Sequence, residues 1–116
     1  LEWLVKAQHE NGGWGGGSHA QQRIRDPHAV KTDPATTSFA ALALLRAGHT
    51  PVAGTYQHAV LKATEHLLDV VEKSPQEGPQ ITDVTGTQPQ AKLGQLVDTT
   101  MTTQFLARVK MDLPEN

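Results

Sequence analysis

The stretch WLVKAQHENGGW, residues 3–14, joins a short helical pattern to a glycine-rich turn. Trp3, Leu4 and Ala7 recur at helical spacing. Glycines then end the pattern, as they commonly do at a helix C-terminus. Trp14, one of two tryptophans in the chain, stands among these glycines. We therefore expect a tight structural corner in which Trp14 is packed over the turn, rather than a ligand-binding loop.

The composition excludes several functional classes. The chain has 116 residues, of which 37% are hydrophobic and 19% charged, as in ordinary globular domains. Its net charge of −2 argues against nucleic-acid binding, which normally requires a basic excess. The absence of cysteine excludes disulfides, thiolate zinc sites and a cysteine nucleophile. No apolar run approaches the roughly 20 residues of a membrane span, so no transmembrane segment is expected. The cellular compartment is left open.

Helices separated by long loops are predicted along the chain. The clearest one, at residues 34–47, has Asp33 as a good N-cap and Pro34 at its first position. Gly48 supplies the C-terminal stop. This segment is apolar on every side, which predicts a helix buried all round in a layered helical assembly. Helices are expected at residues 1–9, 34–47, 55–73 and 95–110, and loops at residues 10–33 and 74–92.

The helix expected at residues 55–73 is amphipathic. Its apolar stripe includes Val60, Ala63 and Leu67, and charged residues line the opposite side. This pattern predicts an outer helix with one solvent-facing side. Four histidines on helix surfaces or ends are also expected to face solvent: His9, His49, His58 and His66.

An internal repeat relates the two halves of the chain. TTSFAA begins at Thr36 and TTQFLA at Thr102, and an aspartate precedes each, Asp33 and Asp98. Upstream of them, LEWLVKAQ resembles EHLLDVVE. The sequence thus predicts one all-α domain over residues 1–116, with repeat one at 1–48 and repeat two at 55–110. Such units stack because one unit alone cannot bury its apolar face.

The first repeat carries a resemblance to a known family. Trp3, Leu4, Gln8, Gly12 and Trp14 resemble the QW motif of the squalene-hopene cyclase and prenyltransferase repeat superfamily. The following TTSFAALALLRAG is similar to the inner helix behind such motifs. The resemblance implies an α/α toroid, in which an inner ring of parallel helices lies within an outer ring. The glutamine would tie an outer helix to an inner one, and the tryptophan would stack over the turn.

The sequence also departs from the family's patterns. It lacks the Asp-x-Asp-Asp motif of triterpene cyclases that protonate an alkene, and the Cys-Gly-Glu-Gln run of thioester domains. It lacks the cysteine with which prenyltransferases hold zinc. In the second repeat Glu72 stands near the glutamine position, and no tryptophan follows Gly78. We expect a partial ring of two helix pairs, belonging to a fragment of a bacterial member of this superfamily.

The resemblance implies a terpene cyclase-like or prenyltransferase-like domain that takes an apolar or isoprenoid-type ligand in its cavity. Two alternatives stay open: a non-catalytic helical-repeat scaffold for a protein or glycan, and a glycan-active α/α barrel with paired carboxylates. Whether the chain is an enzyme is left open by the sequence. We expect no cofactor. Further partners are a second copy of the chain or the remainder of the toroid, because a buried-type helix at an open edge promotes association.

The candidate site residues lie in the long first loop and at the two inner-helix starts. Asp33 and Asp98 are catalytic candidates, because a carboxylate at a cavity mouth can act as acid or base once burial raises its pKa. Capping is the competing explanation for both. The ligand-binding candidates are His19, Arg23, Arg25 and His28. The spacing of the loop histidines and aspartates matches no metal-binding pattern, so no metal site is expected.

Overall fold

The computed structural model describes residues 1–75 and 77–113. Within these residues the chain is all-α, as predicted, and contains no β-strand beyond isolated bridges at Ser18–Thr87 and Thr50–Ala53. A 3-10 turn lies at Pro27–Ala29. The α-helices are α1 Glu2–Lys6, α2 Pro34–Arg46, α3 Gln57–Glu72, α4 Gln88–Leu93 and α5 Val97–Lys110.

Helix α2 begins and ends where the sequence predicts. Asp33 is its N-cap, and the Thr36 backbone N–H donates to the Asp33 carboxylate at 2.7 Å. Pro34 occupies the first turn, where its missing N–H costs nothing. At the other end Gly48 adopts a φ of 97°, a left-handed conformation that glycine accepts without strain.

Helices α2 and α5 pack side by side and run parallel. At their N-terminal ends the Ala35 N–H donates to Asp98 at 2.9 Å. One turn further along both helices, the hydroxyl oxygens of Ser38 and Thr102 lie 3.3 Å apart in a buried contact. Because the paired positions advance in the same direction, the two copies of the Thr-Thr-x-Phe-x-Ala pattern lie in neighbouring, parallel helices.

Helix α3 returns along α2 and covers the core from outside. Val60, Ala63 and Leu67 are fully buried, which confirms the predicted apolar stripe. The Asp69–Lys73 ion pair, 3.1 Å between the charged groups, is exposed on the other side and adds little stability. The core between α2, α3 and α5 is formed by Ala7, Trp14, Ala40, Ala41, Leu44, Ala59, Val60, Ala63, Leu67, Phe105 and Val109.

Two predicted boundaries are wrong. Helix α1 ends at Lys6 rather than at residue 9, because the chain turns tightly after it: His9 N–H donates to the Gly13 carbonyl, and Gly12 N–H donates to the His9 carbonyl. Helix α4 begins inside the predicted loop 74–92 and ends one residue beyond it, at Leu93. Thr87 caps it by accepting a hydrogen bond from Gln90 N–H at 3.2 Å.

The prediction that α2 is buried on every side is also wrong for this chain. Phe39 is 41% exposed, and Ala43 is exposed one turn further along. Both lie on the side of α2 next to α1. Helices α3 and α5 cover the other sides, so α2 has one apolar face without a helix against it in the described residues.

None of the helices in residues 1–75 and 77–113 has both the length and the apolar character needed to cross a membrane.

Candidate functional site

The corner formed by the opening stretch is held by the side chain of Gln8. Its Nε2 donates to the Gly12 carbonyl and to the Ala59 carbonyl of α3, both at 2.9 Å. Gly12 itself has a φ of 94°, and a Cβ there would lie 2.4 Å from the Lys62 carbonyl oxygen. Only glycine fits at this position. The glutamine therefore ties the turn to the outer helix α3 rather than to α2.

Trp14 is part of the core, with 4% of its surface exposed. Its indole N–H donates to the Leu4 carbonyl at 2.8 Å, and its backbone N–H donates to the Thr37 hydroxyl at 3.0 Å. The ring therefore joins α1 to α2. Trp3 lies on the predicted helix face but is 68% exposed.

An apolar cleft of about 390 Å³ opens between α1 and α2. Its floor includes the buried Trp14, and exposed side chains of Trp3 and Phe39 flank it. No charged side chain lines it. The residues of this α1–α2 cleft are Trp3, Leu4, Ala7, Trp14, Gly15, Pro27, Thr36, Phe39, Ala40 and Ala43.

Asp33 is buried at the start of α2, and both of its carboxylate oxygens accept hydrogen bonds from the protein. One carboxylate oxygen accepts from Thr36 N–H, and the other accepts from Gly16 N–H at 3.0 Å and from the Thr36 hydroxyl at 2.9 Å. Burial raises the pKa of Asp33 above its ordinary value, although these hydrogen bonds oppose the rise. The negative charge of Asp98 also raises the pKa of Asp33.

Asp98 is fully buried, but it does not cap its own helix. Helix α5 begins at Val97, so Asp98 lies within the first turn, and its carboxylate reaches across to α2. The second oxygen accepts from Gln90 Nε2 at 2.8 Å. The expectation that Asp98 begins an inner helix as its N-cap is therefore wrong. Asp33 is held at the N-cap by the following Pro34, and no proline follows Asp98.

The geometry of the two aspartates favours a structural role. Every carboxylate oxygen of Asp33 and Asp98 accepts a hydrogen bond from the protein. Both residues place negative charge at the N-terminus of α2, where the helix dipole stabilises it. Neither residue lines the α1–α2 cleft. A role for them as acid or base stays a prediction that the geometry does not support.

The four ligand-binding candidates do not converge. His19 and Arg23 line one open surface cleft, whereas Arg25 lines another, beside the glycines at 15–17. His28 instead packs against His9, with 5.6 Å between the ring centroids. All four candidates are exposed, so the structure brings together only His19 and Arg23.

His66 is half-buried, which corrects the expectation that it faces solvent. A Cβ at Gly13 would lie 3.0 Å from His66 Nε2, so the ring packs against the glycine turn. Burial lowers the pKa of His66 below its ordinary value of 6.5; Asp69 opposes this shift and His9 adds to it.

Sequence reasoning did not single out Phe39 and Ala43 as site residues. The available signal was the uniformly apolar character of residues 34–47, which indicates more apolar surface than one small domain encloses.

The described residues contain no group of three or more histidine, aspartate or glutamate side chains placed to hold a metal ion. Comparison with protein-family models, with curated proteins and with solved structures found no match for this chain.

Proposed function

We propose that the chain is a helical-repeat scaffold of the squalene cyclase-like α/α-toroid type, and that the α1–α2 cleft is its binding surface. The cleft itself carries this proposal. Its lining has no charged side chain, and Trp3, Phe39 and Ala43 expose apolar surface next to one another. A contiguous exposed apolar patch of this kind is typical of a surface that binds a partner.

The arrangement of the helices supports the toroid part of the proposal. α2 and α5 carry the repeated Thr-Thr-x-Phe-x-Ala pattern and lie parallel, as inner helices of a toroid would. α3 packs outside them with an apolar stripe inward. Trp14 holds the corner before α2 by its bond to the Leu4 carbonyl, whereas Gln8 ties the corner to α3 and not to the inner helix that the QW motif would imply.

Binding is favoured over catalysis because both aspartates are occupied by hydrogen bonds at the start of α2. Asp33 and Asp98 use their oxygens on backbone and side-chain donors at the start of α2. A glycan-active barrel requires two carboxylates that face a cleft, and these two face the protein interior instead.

An isoprenoid-type ligand is the second candidate, in keeping with a terpene cyclase-like or prenyltransferase-like domain. The aromatic rings of Trp3, Trp14 and Phe39 line the cleft together. Its volume of about 390 Å³ falls within the roughly 300–1,000 Å³ common for small-molecule sites. Such a ligand would occupy the same surface as a protein partner.

The α1–α2 cleft can be tested with 1-anilinonaphthalene-8-sulfonate, a fluorescent probe of exposed apolar surface. Ala43→Glu places a charge in the cleft, whereas Ala91→Glu places the same charge on the exposed side of α4. We expect the probe to bind the wild-type chain and Ala91→Glu equally. Ala43→Glu should bind it about tenfold more weakly, a loss of about 1.4 kcal/mol.

Two results would change this proposal. Equal probe binding by all three proteins would show that the cleft is not a binding surface. Displacement of the probe by micromolar farnesol, with retention of farnesol binding in Ala91→Glu and its loss in Ala43→Glu, would replace the scaffold with the isoprenoid-ligand candidate.

A further inference from the structure

Equivalent side chains of the two repeats differ in burial. On α5 the stripe Thr102, Phe105 and Val109 is buried, with at most 2% of each residue exposed. The repeat places Thr36, Phe39 and Ala43 at the corresponding positions of α2. These three residues line the α1–α2 cleft, and Phe39 and Ala43 are exposed. The two stripes thus carry similar side chains, but only the α5 stripe is covered by a neighbouring helix.

The cover of the α5 stripe is α2. At the start of the contact α2 presents Ala35 and Ser38, both fully buried, and further along Leu42 and Leu45 line the groove beside Gln104 and Arg108 of α5. Ser38 meets Thr102 directly, with 3.3 Å between the hydroxyl oxygens. Small residues let the two helix backbones approach closely, and the hydroxyl pair fixes their register. The interface between α2 and α5 therefore shows what kind of surface fits this stripe.

We infer that the α1–α2 cleft seats an α-helix from another segment of polypeptide, parallel to α2, with a small, hydroxyl-bearing residue against Thr36 and apolar side chains against Phe39 and Ala43. This inference rests on the proposed function, which makes the cleft a binding surface. The incoming helix extends the row formed by α2 and α5 by one position. The register follows from the pair Ser38 and Thr102: the hydroxyl residue of the incoming helix lies opposite Thr36.

A second copy of this chain does not supply that face. Its own α2 face is covered by α5, and the corresponding positions on α5 carry larger polar groups, with Gln104 in place of Ser38 and Arg108 in place of Leu42. Both Gln104 and Arg108 are exposed. Docking this side of α5 on the cleft would set Arg108 against an apolar surface. The row is therefore open at α2, whereas the corresponding side of α5 carries Gln104 and Arg108.

A peptide with the sequence of residues 31–48 tests the inference, because it carries the face that α2 presents to α5. The chain has no cysteine, so Ala43→Cys gives a single thiol in the cleft. Two peptides are compared, one with Leu45→Cys and one with Ala35→Cys. Position 45 of the peptide should lie next to Ala43. It is two turns beyond Ser38, just as Val109, the repeat equivalent of Ala43, is two turns beyond Thr102.

We expect the Leu45→Cys peptide to form a disulfide with Ala43→Cys under mild oxidation, at a yield about tenfold above that of the Ala35→Cys peptide. A control peptide with Ser38→Glu in addition to Leu45→Cys should lose this advantage, because the charge replaces the hydroxyl group that meets the cleft. Preferential trapping of the Ala35→Cys peptide would establish an antiparallel helix and overturn the inferred direction.

Binding of the unmodified peptide is followed by tryptophan fluorescence, since Trp3 and Trp14 line the cleft. Sedimentation of the wild-type chain is measured in parallel. No peptide binding together with normal probe binding would overturn the helix partner and leave the binding surface intact. Loss of both would overturn the proposed function as well. A dimer that Ala43→Glu dissociates would replace the inferred partner with a second copy.

Discussion

The carboxylate of Asp98 in α5 accepts a hydrogen bond from the backbone N–H of Ala35 in α2, at 2.9 Å. The contact crosses between the two repeats and ties the starts of two parallel helices together. Asp33 accepts the next free N–H of the same helix start, from Thr36. Two aspartates from opposite halves of the chain therefore accept from the backbone N–H groups of Ala35 and Thr36, which would otherwise be unpaired at the start of α2.

Removal of the Asp98 carboxylate should destabilise the domain. Asp98→Ala leaves the buried Ala35 N–H unpaired and removes one acceptor of Gln90 Nε2. We expect a loss of about 2–4 kcal/mol in the free energy of unfolding by urea, since each unsatisfied buried donor costs about 1–3 kcal/mol. Asp98→Asn keeps an acceptor for Ala35 and should lose less than half as much. Equal losses for the two variants would contradict the role assigned to the contact.

The two repeat-equivalent phenylalanines should differ sharply in their effect on stability. Phe105 of α5 is fully buried in the core, whereas Phe39 of α2 is 41% exposed. We expect Phe105→Ala to cost about 3–5 kcal/mol. Phe39→Ala should cost only about 1 kcal/mol. Chemical denaturation of the two variants under the same conditions gives both values. Similar losses at both positions would mean that Phe39 is already covered, for example in a dimer.

The two tryptophans form a second matched pair. Trp14→Ala removes a buried ring and its hydrogen bond to Leu4, and should cost about 3–5 kcal/mol. Trp3→Ala removes an exposed ring and should change stability by no more than about 0.5 kcal/mol. Thermal melts of both variants measure the difference. A Trp14→Ala melt unchanged from the wild type would mean that Trp14 is not part of the core.

Stability should fall in mild acid because of His66. Burial lowers the pKa of His66 in the folded chain, so the unfolded chain binds the proton more readily. The stability that follows from keeping His66 neutral is fully present above pH 6.5, the ordinary pKa of histidine. It is lost as the pH falls from 6.5 through the pKa of His66 in the folded chain. Urea unfolding between about pH 5 and 8 measures this loss. His66→Gln should flatten the profile, whereas His58→Gln, at an exposed position of α3, should leave it unchanged. A profile that is the same in His66→Gln and wild type would assign the acid sensitivity to other groups.

Local signals in the sequence predicted the ends of α2 and the buried side of α3. The N-cap Asp33, the following Pro34 and the stop at Gly48 set the ends of α2, because all three act on the backbone within a few residues. The amphipathic pattern identified the buried stripe of α3 for the same reason. Helix α4 was missed because it is short and lies among prolines, where the cap by Thr87 is its main local signal.

The site depended on contacts that no local pattern encodes. Asp98 looks like an N-cap in the sequence, but its partner is an N–H in the other repeat. His66 looks like a surface residue on a helix, but the glycine turn of residues 12–13 packs against it. Both positions are defined by residues distant in sequence, so their burial follows only from the packing of the helices.

The sequence by itself determined the all-α class and the tight corner from Gln8 to Trp14, because caps, glycines and apolar spacing act locally. Only the tertiary structure decided which of two chemically equivalent stripes is covered. Phe105 is buried because α2 lies against it, and Phe39 is exposed because it lies in the open cleft between α1 and α2. Whether a side chain is buried depends on the elements packed against it, and the sequence of one helix does not specify those elements.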